Sequence, residues 1–238
     1  MLRQIDIYTR ADGDNALFSD LSVKIHGYMM SRIGKEKAEE YHKKSLRPFS
    51  LYTVDAGEFF ITRVSTLQDE AAELISLFES TEKIRIFGLA DNLRIIRLDR
   101  APDADVATLA AALSEEKYRL DVLTPAQYRS GGVLCHNPEL PKYFQSVAAK
   151  LSLYEGVFFS KEQIEAAFQS IKINSYSLKS ASFKTGGHGV KGMIGYVDID
   201  FTNADDSAKM LLAYATYSGI GGGTAQGMGG ITITPLQN

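Results

Sequence analysis

The chain has 238 residues, of which 45% are hydrophobic and 23% charged, and its formal net charge is −3. This composition is typical of a globular protein with its own core, and no apolar run approaches the roughly 18 to 20 residues of a membrane span. We therefore expect a cytoplasmic protein that is not associated with a membrane. The single cysteine, Cys135, excludes an internal disulfide and offers no thiolate cluster for a metal.

The first half of the chain alternates between strand and helix patterns. In chain order they predict a strand at 2–8, helices over 21–33 and from 35, strands at 49–54 and 58–64, a helix over 67–78 and strands at 84–87 and 93–98. The apolar stripe of the first helix leaves His26 and Met30 pointing away from the core. The order β-α-β-β-α-β is that of a ferredoxin-like sandwich, and we place this first domain at residues 1–114.

The second half repeats this order. A strand at 118–123 is expected to stop at Thr124-Pro125, and two helices follow, the second with a capping-box pattern at Ser160 and Gln163. Two long strands at 171–183 and 190–201 precede a helix over 203–217, a glycine-rich loop and a final strand. Residues 115–238 thus predict a second domain. The fold class is α+β, with two tandem ferredoxin-like (RRM-like) sandwiches and a glycine-rich loop before the last strand.

The glycine-rich loop, residues 219–230, holds seven of the twenty glycines of the chain. Glycine tolerates positive φ, so such a loop can turn successive backbone N–H groups toward a phosphate; it can equally be a flexible connector. A P-loop is excluded because no Gly-Lys-Ser/Thr ending is present. A dinucleotide fingerprint is excluded because this loop follows a helix and precedes a strand.

Basic residues are concentrated in two segments, although the acidic net charge argues against an overall basic footprint for nucleic acid. Residues 24–47 hold seven Lys and Arg against three Glu, and residues 171–193 hold four Lys and no acid. A charge run is usually a solvated face, but two basic segments in an acidic chain can form one track for a polyanion.

His42 is the histidine with the strongest chemical context. It stands near Lys43, Lys44 and Arg47, which together can supply proton transfer and stabilise developing phosphate charge. The alternative is a surface histidine at a charged helix end. His26 lacks a comparable basic set, whereas His188, in a glycine turn, suits phosphate contact. No His, Cys or Asp spacing matches a metal site, so we expect neither a metal nor a cofactor.

Three motifs together resemble the CRISPR-associated endoribonuclease family (Cas-six type) that cuts precursor repeat RNA. The loop from Gly219-Ile220-Gly221 to Gly227-Met228-Gly229 is similar to the glycine-rich hallmark of that family. The segment from His26-Gly27 to Tyr41-His42, followed by Pro48-Phe49-Ser50, resembles its first-helix region with the catalytic histidine. The strand pattern at 190–201, with Gly192 and Gly195, resembles its glycine-punctuated strand, and Leu123-Thr124-Pro125 the start of its second fold.

The resemblance implies metal-independent cleavage by a ribose 2′-hydroxyl, which leaves a 2′,3′-cyclic phosphate. His42 would be the general acid or base, with Lys44, or alternatively Arg47, stabilising the transition state. Family members often add a tyrosine from the first helix, and Tyr28 is the candidate here, with core packing as its alternative.

RNA contacts are expected from residues of both basic segments and the loop: Arg47, Lys184, His188, Lys191, Gly219, Gly221, Gly227 and Gly229. Larger residues at Gly227 and Gly229 should weaken RNA binding while the melting temperature stays near that of the wild type.

The implied partners are CRISPR repeat RNA and other subunits of a CRISPR interference complex, and the expected state is a monomer or homodimer. Two other classes stay open. One is an RNA-binding protein of the same fold that retains the guide RNA without cutting it. The other is a ferredoxin-like sensor of a small molecule, which would have no basic track beside the loop.

Overall fold

A computed structural model describes residues 1–11, 20–86, 92–185 and 188–236. A five-stranded antiparallel sheet from the first half of the chain is followed by a four-stranded antiparallel sheet from the second half. Both sheets have the strand order of a ferredoxin-like sandwich, so the predicted fold class is confirmed. The boundary between residues 114 and 115 stays a prediction.

The first sheet has the order β2-β3-β1-β5-β4. The elements are β1 (Arg3–Ala11), α1 (Leu21–Arg32), α2 (Lys35–Lys43), β2 (Phe49–Asp55), β3 (Phe60–Thr66), α3 (Glu73–Glu79), β4 (Lys83–Ile84) and β5 (Leu93–Arg100). β4 is shorter than the strand predicted there, and residue 87, the end of that prediction, lies outside the described residues.

The second sheet has the order β11-β6-β10-β9. After the connecting helix α4 (Val106–Ala111), the elements are β6 (Lys117–Ala126), β7 (Tyr128–Ser130), β8 (Val133–Cys135), α5 (Leu140–Glu155), α6 (Lys161–Gln169), β9 (Lys172–Thr185), β10 (His188–Asp200), α7 (Asp206–Ser218) and β11 (Ile231–Pro235). The hairpin of β7 and β8 was not predicted.

The expected stop of the strand at Thr124-Pro125 is wrong, because β6 runs on to Ala126. Its pairing with β10 shifts register between Met193 and Gly195, opposite this proline, so the missing N–H of Pro125 interrupts no regular ladder. The Pro125 carbonyl instead accepts a hydrogen bond from the Gly229 N–H at 3.0 Å.

The two halves interlock at their cores. Leu2 and Leu67, from the first half, are fully buried in the core of the second, and Ala225 of the glycine-rich loop packs in the core of the first. The Ser50 hydroxyl donates to the Tyr217 carbonyl across the same boundary. Within the described parts of the chain, no helix has the length and apolar character needed to cross a membrane.

Candidate active site and nucleic-acid interface

Two histidines lie side by side where α1 and α2 meet. His42, in the last turn of α2, is exposed, and its ring centroid lies 6.1 Å from that of His26 on α1. Gly34 permits this arrangement because its φ of +87° suits the tight reversal between the helices. The pairing depends on the packing of two helices, so the local sequence around either histidine carries no signal for it.

His26 is only 6% exposed, and the expectation that it points away from the core is wrong. Its ring stacks on Phe49 of β2, with centroids 5.9 Å apart, and it makes a hydrogen bond to the backbone of Ala225. The glycine-rich loop and β2 therefore cover the side of α1 that the sequence pattern assigned to solvent. Met30, assigned to the same side, is buried in the first core.

Burial, and then the positive charge of Arg47, lower the pKa of His26 from 6.5 to about 4. The imidazole is consequently neutral at pH 7. Its Nδ1 atom is buried and has no hydrogen-bond partner among the described residues. His26, set aside in the sequence for lack of nearby basic residues, in fact has both Arg47 and His42 as neighbours.

The two predicted cations, Lys44 and Arg47, have different partners. Lys44 Nζ forms an ion pair with Glu40 Oε1 at 2.6 Å and lies 5.6 Å from the ring centroid of Tyr41. Arg47 Nε donates to the Tyr41 carbonyl at 3.2 Å, and within the described residues no carboxylate pairs with the guanidinium. Arg47 is therefore the less neutralised cation beside the histidines.

Tyr28, the third predicted catalytic residue, lies in the first core and is 7% exposed. Its ring packs near Phe78 of α3, and its hydroxyl lies 3.4 Å from Thr81 Oγ1, just beyond the end of α3. Core packing, the alternative reading of Tyr28, is thus confirmed. This geometry gives no support to a catalytic role, because the hydroxyl is engaged toward α3 and not toward His42.

The glycine-rich loop is wedged between the two halves. A Cβ atom added at Gly227 would lie 2.2 Å from Ser22 Cβ of α1 and 3.1 Å from the Phe183 ring of β9. One added at Gly230 would lie 2.3 Å from the Tyr52 ring of β2. The loop is therefore a packed contact between domains, and the alternative of a loose connector does not describe it.

The four loop glycines expected to bind RNA also satisfy backbone requirements. Gly219, Gly221, Gly227 and Gly229 all have positive φ, and a Cβ at Gly229 would lie 1.9 Å from the Ile220 carbonyl oxygen. Larger residues there must disturb the packing. This packing predicts that replacing Gly227 or Gly229 lowers the melting temperature, contrary to the expectation from the sequence, and their contact with RNA stays a prediction.

Lys184, His188 and Lys191 lie exposed near the tip of the β9 and β10 hairpin. Lys191 pairs with Ser182, two residues before Lys184, so the two lysines share one face. Phe183 projects from the other face toward the loop at Gly227. This part of the hairpin thus adjoins the loop; residues 186–187 of the predicted turn lie outside the described residues.

The assembled site consists of an exposed imidazole, a buried neutral imidazole, the glycine-rich loop and an arginine that has no carboxylate partner among the described residues. Such a set can move a proton beside a bound anion. In the ranges that the structure describes, no group of three or more His, Cys, Asp or Glu side chains could hold a metal ion.

Comparison with known proteins found one family repeatedly. The family model of CRISPR-associated endoribonuclease Cas6 matches residues 120–231. A protein of that name from Mycobacterium tuberculosis is 26% identical over 235 residues, covering 94% of this chain and 74% of the relative. One from Streptococcus thermophilus is 24% identical over 224 residues, covering 90% and 91%.

Solved structures share the fold. A Cas6 product complex superposes with a TM-score of 0.76 at 19% identity, over 98% of this chain and 99% of that one. Thermus thermophilus Cas6 gives 0.71 at 17% identity, over 98% of both chains. The similarity covers both ferredoxin-like halves.

Proposed function

We propose that this chain, which is similar to the CRISPR-associated endoribonuclease Cas6 family, is a member of it and cleaves CRISPR precursor RNA within its repeats to make guide RNAs. The observation that carries the proposal is the exposed His42 beside the neutral His26 and the unneutralised Arg47, next to the glycine-rich loop. An imidazole and a cation at one place are what cleavage of a phosphodiester requires.

The reaction needs two proton transfers. The ribose 2′-oxygen loses its proton and attacks the adjacent phosphorus, the bond to the 5′-oxygen breaks, and that oxygen gains a proton. The products are a 2′,3′-cyclic phosphate and a 5′-hydroxyl. His42 is the exposed group suited to taking or giving one of these protons, because an imidazole can act as a general base or a general acid.

His26 supports this chemistry without supplying the proton. With a pKa of about 4 the ring of His26 is neutral at pH 7, so it lacks the acidic proton of an imidazolium and adds no positive charge beside His42. Its hydrogen bond to Ala225 also joins α1 to the glycine-rich loop. His26 is thus a positioning residue in the proposal.

Arg47 is favoured over Lys44 for stabilising the charge that develops on the phosphate oxygens. Arg47 meets only a neutral carbonyl oxygen, whereas Lys44 would first have to leave its ion pair with Glu40. A guanidinium can also donate two parallel hydrogen bonds to one phosphate.

The test incubates the protein with its repeat RNA in excess EDTA and maps the product ends. We expect cleavage with a 2′,3′-cyclic phosphate, and none when one 2′-deoxy nucleotide stands immediately 5′ of the cut phosphate. Cutting of that deoxy substrate would exclude the mechanism. Tight binding of the all-ribose repeat without any cleavage would instead establish the non-cutting RNA-binding protein.

The same proposal includes association with other subunits of an interference complex, and a monomeric or homodimeric state. Light scattering after size-exclusion chromatography, with and without repeat RNA, measures that state.

A further inference from the structure

A cleft of about 270 Å³ lies between the end of α2, the start of the second half and the glycine-rich loop. Four basic side chains line it and no acidic one does: Arg47, Arg129, Lys142 and Lys150. Arg47 also borders the histidine pair. The other three belong to the second half of the chain, and the sequence patterns did not single them out.

None of these four cations is paired with a carboxylate among the described residues. Arg129 Nη1 donates to the Gly132 carbonyl at 3.0 Å, and Arg47 likewise meets a carbonyl. The Lys142 side chain has no hydrogen bond or ion pair within the described chain. Like charges gathered without counter-charge repel one another, so a bound anion would relieve a cost built into this cleft.

Lys150 forms the floor of the cleft and is 4% exposed. Its Nζ donates to the Ser218 carbonyl and to Thr224 Oγ1, both at 2.6 Å, and so joins α5 to the end of α7 and to the glycine-rich loop. Burial, and then the charge of Arg47, lower the pKa of Lys150 to about 7. An anion above it would favour the charged amine.

Residues of the glycine-rich loop line the same cleft. The Gly221 and Gly222 N–H groups are used within the protein, on the Tyr143 and Gln127 carbonyls at 3.1 and 2.8 Å. The next three N–H groups, of Gly223, Thr224 and Ala225, take part in none of the hydrogen bonds among the described residues, and all three residues line the cleft. Successive free N–H groups among cations suit a phosphate.

We propose that this cleft binds a backbone phosphate of the RNA other than the one cut beside His42, with Arg129 and Lys142 contacting it and Lys150 positioning the loop. The inference rests on the proposed function for its ligand. A phosphate beyond the cut is indicated because Arg129 and Lys142 line the cleft, whereas neither His42 nor His26 does. Binding there would add affinity for the strand without a contact to the reacting phosphate.

The test measures binding of a repeat RNA with the 2′-deoxy substitution at the cut, across a salt series. Lys142→Met and Arg129→Met should each raise Kd about 10-fold and reduce the slope of log K against log salt by about 0.7 to 1. On the all-ribose repeat, their single-turnover cleavage at low RNA concentration should fall with the affinity, and saturating RNA should restore most of the rate. Lys161→Met, which removes an equal charge from α6 outside the cleft, should leave the Kd, the salt slope and the cleavage rate unchanged.

Unchanged affinity and salt slope in both variants would overturn the proposal. So would a 100-fold fall in the saturated rate, which would place the cut phosphate in the cleft. Lys150→Met should raise Kd because the glycine-rich loop loses a hydrogen-bonding partner. If that variant does not fold, the Arg129 and Lys142 variants still test the proposal. If the wild-type protein binds the repeat RNA but does not cleave it, the proposed function is overturned and the cleft is not. If the wild-type protein cleaves the RNA and the Arg129 and Lys142 variants bind it normally, the cleft proposal is overturned and the proposed function is not.

Discussion

At the residue scale, His42 and His26 occupy one place in the molecule but differ in what surrounds them. His42 is open to solvent, whereas Phe49 and the Ala225 backbone enclose His26. Water stabilises the charged form of an imidazole and burial disfavours it. The exposed ring is therefore the one suited to exchanging protons with RNA, and the buried ring the one that holds the site together.

His42→Ala should lower the single-turnover cleavage rate by about 10² to 10⁴ while RNA affinity stays within a few-fold, because a proton-transfer group is lost and a binding contact is not. His188→Ala removes another exposed histidine, from the hairpin tip, and should leave the saturated rate unchanged. His26→Ala should affect the rate much less than His42→Ala. The reverse order of these two effects would move the active site onto α1.

Acid should destabilise the fold through His26. The native pKa is about 4 and the unfolded value about 6.5, so between these pH values the unfolded chain binds a proton that the native protein does not. The stability contribution is full above pH 6.5 and is lost as the pH falls toward 4, by about 2 kcal/mol between pH 7.5 and 5. Urea unfolding at both pH values measures it. Between these pH values, His26→Phe should lose about 2 kcal/mol less of its free energy of unfolding than the wild type does. An equal loss in both proteins would show that His26 is not the cause.

At the scale of elements, the glycine-rich loop combines rigid positions with one tolerant position. Gly229 has a φ of +64° and meets the Ile220 carbonyl, whereas the nearest atom to a Cβ on Gly222 is the Gln127 oxygen at 3.9 Å. Hydrogen bonds from the loop to the Pro125 and Tyr143 carbonyls hold its backbone in this conformation. Its geometry therefore follows from packing against neighbouring elements.

Gly229→Ala should lower the free energy of unfolding by at least about 1 to 3 kcal/mol, because it forces a left-handed conformation and a backbone clash. Gly222→Ala makes the same chemical change at the exposed position and should stay within about 0.5 kcal/mol. Chemical denaturation of both variants gives the comparison. Equal stability of the two would show that the loop relaxes freely.

At the scale of the whole molecule, the halves share their cores. Leu67 follows β3 of the first half but is fully buried in the second core, as is Leu2. Ala225 crosses in the other direction. Because each core is completed by the other half, we expect one cooperative unfolding transition.

Leu67→Ala should lower the free energy of unfolding by about 2 to 5 kcal/mol and shift the entire transition, since the cavity opens between the halves. Leu153→Ala, at a site on α5 that is 59% exposed, is the matched control and should be nearly neutral. Calorimetry that resolves two transitions, only one of them shifted by Leu67→Ala, would show that the halves unfold independently.

Features that depend only on residues close together along the chain were determined by the sequence alone. The capping box of Ser160 and Gln163 forms both of its hydrogen bonds, and the long strands β9 and β10 lie where alternation predicts them. The element order of both halves, and with it the fold class, followed from these local periods. Capping and periodicity act over a few residues, so they can be read without knowing the rest of the molecule.

Only the tertiary structure decided which distant residues meet. It brought His26 to His42, enclosed His26 beneath the glycine-rich loop, engaged the Tyr28 hydroxyl toward α3 and gathered Lys142 and Lys150 beside Arg47. It also carried β6 through Pro125, because the partner strand shifts register there. Each of these outcomes depends on burial and on contacts between separate elements, and a helical period shows which residues share a face without showing what will cover it.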